Sequence, residues 1–384
     1  AFFVGSQIAL SVVLLVGAGL FLRSLRQGLA LDPGFDPSGV VVARLDLGAL
    51  GYDQARASAF FDDVVARLGS LEGVEAAALS DQVLLGAAYG RNTSDVRPVE
   101  EVPGGEPRLN AAISVVGPTY FSALGIDRVA GRGFSEADGP GATPVAVVNE
   151  TMARRLWPGR NPVGRRFRQD GREFEVVGLV RDGKYTYVTE PPGPYGFRAS
   201  AQNPRRAMIL HVRSTLSPPR ALGSIRGVVQ DLDPDVALQG EAALSDVVTS
   251  TLFPQRFAAE VVGLFGLVGL AFGVVGIYGL LSFHVAQRSH EMGIRMALGA
   301  RPRRLAGDVA LRTVRLAVYG AIVGIALAAL LSRALRGLMI GLSPLDPLTY
   351  AGVALTMILI AALASFPPAR RATVVDPSAA LREE

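Results

Sequence analysis

Apolar residues in this chain follow two patterns: long unbroken runs near both ends, and short alternating or helically spaced groups in the interior. Four runs approach the roughly 20 apolar residues that a helix needs to cross a hydrocarbon layer about 30 Å thick. They are Phe2 to Leu22, Phe257 to Phe283, Val309 to Leu331 and Leu348 to Phe366. The second and fourth carry no charge from Val261 to Phe283 or from Leu348 to Phe366. The third holds Arg312 and Arg315 in its first turns, where long side chains snorkel to the interface. The first lacks a small-residue cleavage site and ends in Arg23-Ser-Leu-Arg26, so it reads as a permanent anchor and not a signal peptide.

The region between the first and second runs, Asp32 to Pro254, predicts mixed α/β structure. Val40 to Leu47 reads as a strand, Phe60, Phe61, Val64, Val65 and Leu68 recur at helical spacing, and Val74 to Leu79 reads as a second strand. A matching unit lies far downstream. Ala207 to Arg213 is a strand, Leu222, Ile225, Val229 and Leu232 share a helical face, and Val236 to Leu238 is the closing strand. Ser217 is the expected N-cap of that helix, with Pro218 at its first position. Two such units separated by a long insertion predict a split ferredoxin-like subdomain with a second subdomain inserted in it. The insert, about 118–204, carries a strand at Pro144 to Val148, a helix at Asn149 to Leu156, and strands from Phe174 to Val188 around Asp182-Gly183. Pro191-Pro192-Gly193-Pro194 reads as a loop.

Charge orients the runs. Arg288, Arg295, Arg301, Arg303 and Arg304 lie between the second and third, and Arg370 and Arg371 follow the fourth, so both regions are expected on the cytoplasmic side. The large α/β region is then outside. Arg23, Arg26, Arg333 and Arg336 count against this scheme, but the denser clusters outweigh them. Since the sequence starts at Ala1, a preceding segment is expected.

Composition narrows the class. Of the 384 residues, 49% are hydrophobic and 19% charged, which is unusual for a soluble protein. Cysteine is absent and the three histidines (His211, His284, His290) are far apart, so no disulfide or metal cluster is expected. A net charge of +4, nearly all from arginine, is too small to imply nucleic acid.

Motifs for chemistry fail one by one. Gly178-Leu-Val-Arg-Asp-Gly183-Lys184-Tyr185 approaches a phosphate-binding loop, but Tyr185 stands where a small hydroxyl must reach Mg²⁺. A hairpin turn with Gly183 at positive φ is the expected reading instead. His290-Glu291 begins like a zinc-protease helix, yet Ile294 replaces the second histidine. No nucleophile elbow is present, and the expectation is a chain without enzymatic activity, catalytic residues or cofactor of its own. The stretch Gln287 to Ala300 reads as a short amphipathic helix. Ile294, Ala297 and Leu298 share a face, Glu291 and Arg295 pair at i,i+4, and Gly299 caps the end. On periodicity alone, a helix lying on lipid headgroups fits equally well.

Residues 288–301 (RSHEMGIRMALGAR) resemble the signature of the FtsX-like permease family, and Pro368 to Arg382 resembles its usual ending. Val148 to Pro158 and Phe174 to Gly178 are similar to the MacB-type periplasmic core domain. Gly276-Ile-Tyr-Gly279 is similar to a segment of duplicated orphan permeases first noted in acidobacteria. The resemblance implies a helical membrane protein with four transmembrane helices plus an α/β extracytoplasmic domain, in a bacterial inner membrane. It divides the chain into a first transmembrane helix (1–24), the periplasmic core domain (25–254), a second helix (255–285), a cytoplasmic coupling helix and loop (286–304), third and fourth helices (305–335, 346–367) and a tail (368–384).

By the same resemblance, Glu291, Gly293, Ile294, Arg295, Ala297, Leu298 and Gly299 dock on a separate cytoplasmic ABC ATPase, which binds the ATP. A second permease unit, from a homodimer or from the other half of a duplicated chain, completes the transporter. The spans lack the buried acids of a proton- or sodium-coupled carrier, the nearest acid being Glu260 at an outer end. The expected function is therefore a permease that couples ATP hydrolysis to motion of the outer domain for export or extraction. The alternative is an FtsX-like regulator that activates an extracytoplasmic cell-wall hydrolase.

Overall fold

The structure is a computed structural model that describes residues 2–86, 93–100, 102–287, 302–335, 339 and 342–372. The chain divides into two units, a helical one made of residues 1–30 and 253–384 and an α/β one made of residues 31–252.

In the helical unit, α1 (Phe2–Ala30) packs against three further long helices, namely Phe253–Gln287, Pro302–Ala334 and Pro347–Ala372. Val4, Ile8, Val12, Val16 and Leu20 repeat every four residues along α1 and form one buried stripe, joined by Ala321, Ala328, Met357 and Ala361. Three helices are long and apolar enough to cross a membrane, with spans of Val4–Ala30, Phe253–Gly276 and Pro347–Ala364. The third expected run differs. Its helix extends beyond the expected Val309 to Leu331, but its apolar stretch covers only Val318–Ala334, because Arg312 and Arg315 interrupt the preceding turns.

Among the described residues the α/β unit holds eleven strands in one hydrogen-bonded system. Its first half contains β1 (Val40–Asp46), α2 (Gln54–Gly69) and β2 (Val74–Ser80). Far along the chain it adds β10 (Ala207–Ser214), α5 (Pro218–Leu232) and β11 (Gln239–Ala243). The strand order is β11-β1-β10-β2, all neighbours antiparallel. Helices α2 and α5 cover one face. Phe60, Phe61, Val64 and Leu68 of α2 meet Ile225 and Val229 of α5 over Val41, Leu45, Leu79, Leu210 and Val212 of the strands. Asp53 caps α2, accepting the Arg56 N–H at 2.8 Å. Ser217 does stand at the N-cap of α5 with Pro218 at its first position, but its side chain makes no capping bond. The closing strand lies at Gln239–Ala243 and not at Val236 to Leu238, because Val236 is taken into the core beneath the helices.

The second half contains β3 (Thr93–Pro98), β4 (Leu109–Val116), α3 (Tyr120–Ala123), β5 (Arg128–Gly131) and β6 (Val145–Asn149). It continues with α4 (Glu150–Leu156), β7 (Arg166–Gln169), β8 (Arg172–Val180) and β9 (Tyr195–Ala199). Pairing runs β4-β3-β7-β8-β6-β9, and β9 then pairs with β4 in parallel, so these six strands close into a ring. Closure leaves no free edge among them and encloses a core of Ile113, Val148, Met152, Leu156, Trp157, Phe167, Phe174 and Val176. Strands β3 and β4 belong to this ring, so the second half begins upstream of Pro118. The ring joins the first half through a single residue pair, Ser80 with Val116. Among the described residues, the helices that follow β11 are α6 (Leu244–Ser250), α7 (Phe253–Gln287), α8 (Pro302–Ala334) and α9 (Pro347–Ala372).

Candidate functional site

The expected coupling residues Glu291, Gly293, Ile294, Arg295, Ala297, Leu298 and Gly299 lie outside the described residues. The structure does describe how their neighbouring helices are held. Glycines let α1 approach α7 and α8 closely, as expected where helices gain no hydrophobic drive from water and rely on close packing. A Cβ at Gly324 would lie 2.7 Å from the Ala9 carbonyl oxygen and 2.7 Å from the Val12 side chain. At Gly320 it would lie 2.8 Å from Ile8. Away from α1, the helices expose large apolar side chains, including Leu264, Phe265 and Phe272 on α7 and Leu348 and Leu363 on α9.

A polar clasp closes one end of this bundle. Asp346 caps α9, accepting the Thr349 N–H at 2.9 Å, and also accepts a hydrogen bond from Arg23 of α1. Ser332 of α8 meets the Tyr350 hydroxyl at 3.1 Å. The C-terminal end of α1, the N-terminal end of α9 and the C-terminal end of α8 therefore lie together. Sequence reasoning passed over Asp346 and counted Arg23 only as a charge against the topology. The signal was present, since an aspartate followed by proline at the first helical position is a helix start. Glu260, taken as the acid nearest a span, instead pairs with Arg256 one turn away at 2.9 Å.

The loop that approaches a phosphate-binding motif is fully used within the chain. The Asp182 N–H donates to Glu150 (3.1 Å), Gly183 to the Tyr185 hydroxyl (3.3 Å), Lys184 to the Pro33 carbonyl (2.7 Å), and Tyr185 and Thr186 to Glu190 (2.6 and 3.1 Å). The Lys184 ammonium donates to the Glu190 carbonyl. A phosphate cradle needs free N–H groups converging on one point, and five consecutive amides here are already engaged. Tyr185 is buried and stacks on Tyr195 with ring centroids 3.7 Å apart, and burial pushes its hydroxyl well above the ordinary tyrosine value. The hairpin expected at Asp182-Gly183 does not form either. Gly183 is absent from the positive-φ glycines, and β8 ends at Val180, because the following residues pack on Pro33 and Gly34.

Where the two halves of the α/β unit meet, polar groups are sealed from water. His211 of β10 faces away from α2 and α5, its Nε2 2.8 Å from the Ser80 hydroxyl and its ring edge-on to Tyr120. Burial pulls the His211 imidazole down to about 3, so it is neutral at physiological pH. Asn149 caps α4 by accepting the Met152 N–H at 2.9 Å, accepts the Tyr195 N–H at 2.9 Å, and donates to the Gly193 carbonyl at 2.8 Å. Asp182 holds the same helix end, taking the N–H and hydroxyl of Thr151 at 2.8 and 2.7 Å and Arg154 at 2.8 Å. Among the described residues no group of three or more histidines or acids is placed to hold a metal ion.

Comparison with known proteins places this architecture. The MacB-like periplasmic core domain family matches residues 8–228 and the FtsX-like permease C-terminal family matches residues 263–377. The chain belongs to the MacB-type, FtsX-like family of ABC transporter permeases. It is 28% identical over 279 residues to the pyoverdine export ATP-binding/permease protein PvdT of Pseudomonas syringae pv. tomato, covering 69% of this chain and 42% of that protein. It is 29% identical over 285 residues to the macrolide export ATP-binding/permease protein MacB of Rhodospirillum rubrum, covering 70% of this chain and 42% of that protein. The chain thus spans about two fifths of the length of these relatives. The crystal structure of the periplasmic region of MacB from Actinobacillus actinomycetemcomitans aligns with a TM-score of 0.38 at 14% identity, over 57% of this chain and 94% of that one.

Proposed function

We propose that this permease is driven by an ABC ATPase and moves its outer domain to export or extract a substrate. The single observation that carries the reading is connectivity. The α/β unit is spliced between α1 and α7, two helices that pack on each other along their length, with Leu31 to Gly39 at one junction and Thr251 and Leu252 at the other. Any displacement of these helices is delivered to both ends of the outer domain. The names of the relatives, which pair ATP binding with a permease, support a nucleotide-driven partner, here a separate subunit.

In this reading α8 is the third of four spans despite its shorter apolar stretch, with Arg312 and Arg315 at the headgroups. The protein sits in a bacterial inner membrane with residues 31–252 outside and residues 288–301 and the tail inside, paired with a second permease unit. The β11-β1-β10-β2 order, with α2 and α5 on one face, supports a split ferredoxin-like subdomain interrupted by the six-stranded ring. Glu291, Gly293, Ile294, Arg295, Ala297, Leu298 and Gly299 form the ATPase-docking helix immediately after α7.

The test is co-purification with a co-expressed cytoplasmic ABC ATPase. Ile294→Asp and Leu298→Asp each place a charge in the proposed apolar contact, where an unpaired buried charge costs on the order of several kcal/mol. Both variants are expected to insert in the membrane and to lose the ATPase. If they retain it and support wild-type transport, the docking assignment is wrong.

A further inference from the structure

The six-stranded ring has a polar mouth beside its apolar core. Inward-facing positions alternate along each strand, and the same parity that turns Phe167 of β7 and Phe174 of β8 into the core also turns Gln169, Arg172 and Arg198 inward. The guanidinium carbons of Arg172 and Arg198 each lie 5.5 Å from the centre of the Phe174 ring, so two cations meet one aromatic ring.

Two polar atoms at this mouth are shut off from water and have no partner. One is Nε of Arg198, and the other is Oε1 of Gln169, a residue only 2% exposed. Among the described residues, the Arg198 side chain makes no hydrogen bond and no ion pair. Leaving a buried donor on a charged group unmet is costly, and native proteins rarely do so without an occupant. The charged groups that face Arg198 are Arg205 and Arg172 against Asp81 and Asp170, three cations to two carboxylates with Arg198 itself. Asp81 is already engaged, accepting the Val115 N–H at 2.8 Å. Burial and the neighbouring Arg205 hold the Arg198 guanidinium below its usual value, an effect that Asp81 and Asp170 only partly offset. Arg172 and Arg205 are exposed, which leaves the mouth open to solvent on their side. Mouths of β-barrels are recurrent places for small ligands.

We propose that this mouth binds a compact oxyanion, a phosphate or carboxylate group, held by Arg198 with Arg172 and Arg205 at its rim. A guanidinium fork matches two oxygens of either group. The phosphate has two sources, a free anion or a lipid headgroup. The site is independent of the export reading, and its test reads binding alone.

The experiment is titration calorimetry on the full chain in neutral detergent at about 0.15 M chloride, where exposed charges are largely screened. Inorganic phosphate and acetate are the probes. Saturable binding of at least one is expected, weakened about tenfold or more in Arg198→Gln and several-fold in Arg172→Gln and Arg205→Gln. Arg172 and Arg205 are exposed, so their variants keep the test alive if Arg198→Gln misfolds. A parallel titration in nanodiscs separates the sources. Phosphate binding that vanishes with phosphatidylglycerol but persists in phosphatidylcholine assigns the site to a headgroup, and binding equal in both assigns it to a free anion. No saturable binding of either probe to the wild-type chain overturns the proposal. So does binding that all three variants leave unchanged.

Discussion

The two units bury their apolar side chains by opposite rules. In the α/β unit large residues face inward, with Trp157, Phe167, Phe174 and Phe197 all at 0–1% exposure. In the helical unit only α1 turns a stripe of large residues inward, Val4 to Leu20, and the other helices meet it largely with small ones, at Gly320, Gly324, Ala321, Ala328 and Ala361, and turn large ones out, with Leu264 at 63% and Leu348 and Leu363 at 72%. A water-soluble surface would not tolerate so continuous an apolar exterior. In lipid it carries no penalty, because the tails are as apolar as leucine and helices gain by close backbone approach instead. The contrast marks where one solvent ends and the other begins.

The most direct way to break this comparison is to truncate one apolar side chain on each side of it. Phe174→Ala should destabilise the outer domain by about 3–5 kcal/mol, through lost burial and a cavity in a closed ring. Leu363→Ala should change stability by less than about 0.5 kcal/mol, because that side chain faces outward. Trp157 is the single tryptophan of the chain and lies in the same core as Phe174, so its fluorescence during denaturant unfolding in detergent follows the outer domain directly. Equal losses in the two variants would contradict the assignment of solvents.

Acidification separates the units by a different property. The folded His211 value of about 3 lies below the unfolded value of 6.5, so the native state resists a proton that the unfolded state accepts. Its contribution is therefore intact above pH 6.5, is lost progressively as the pH falls toward 3, and totals on the order of 4 kcal/mol. His211→Gln should flatten the denaturation midpoint over that window relative to the native chain. A wild-type slope that persists in the variant would assign the pH response to the carboxylates.

Overpacking tests the helical unit in turn. Gly324→Leu inserts a side chain where a Cβ already meets Ala9 and Val12, and it should cost about 1–3 kcal/mol. The measurement is the thermal aggregation midpoint in detergent, with Gly352→Leu as the control, since a Cβ there meets nothing within 4 Å. The smallest effect is expected at the clasp. Arg23 remains 35% exposed, so a double-mutant cycle with Arg23→Gln and Asp346→Asn should give a coupling below about 1 kcal/mol. A coupling of several kcal/mol would show that the clasp carries much of the hold of α1 on α9.

Much of this fold was legible from local pattern. The strands at Val40, Val74 and Ala207, the helices carrying Phe60 and Ile225, and the apolar runs at both ends all announce themselves through period 2, period 3.6 or sheer length. The candidate coupling helix was likewise read from periodicity and resemblance, and it lies outside the described residues. What escaped was set by distant partners. Val236 to Leu238 looked like a strand, but Val236 was claimed by the core under α2 and α5 and the pairing moved to Gln239–Ala243. The Gly183 turn looked like a hairpin, but Pro33 and Gly34, about 150 residues earlier, took its backbone.

The amino-acid sequence by itself determined many of the helices and strands and which solvent each prefers, because those properties depend on neighbours within a few residues. Tertiary structure alone decided that β9 returns in parallel to β4 and closes the ring, that Asp346 answers Arg23, and that Nε of Arg198 and Oε1 of Gln169 end up shut off from water without partners. Each depends on pairing across tens to hundreds of residues, where the energy lies in burial and closure and leaves no local period to read.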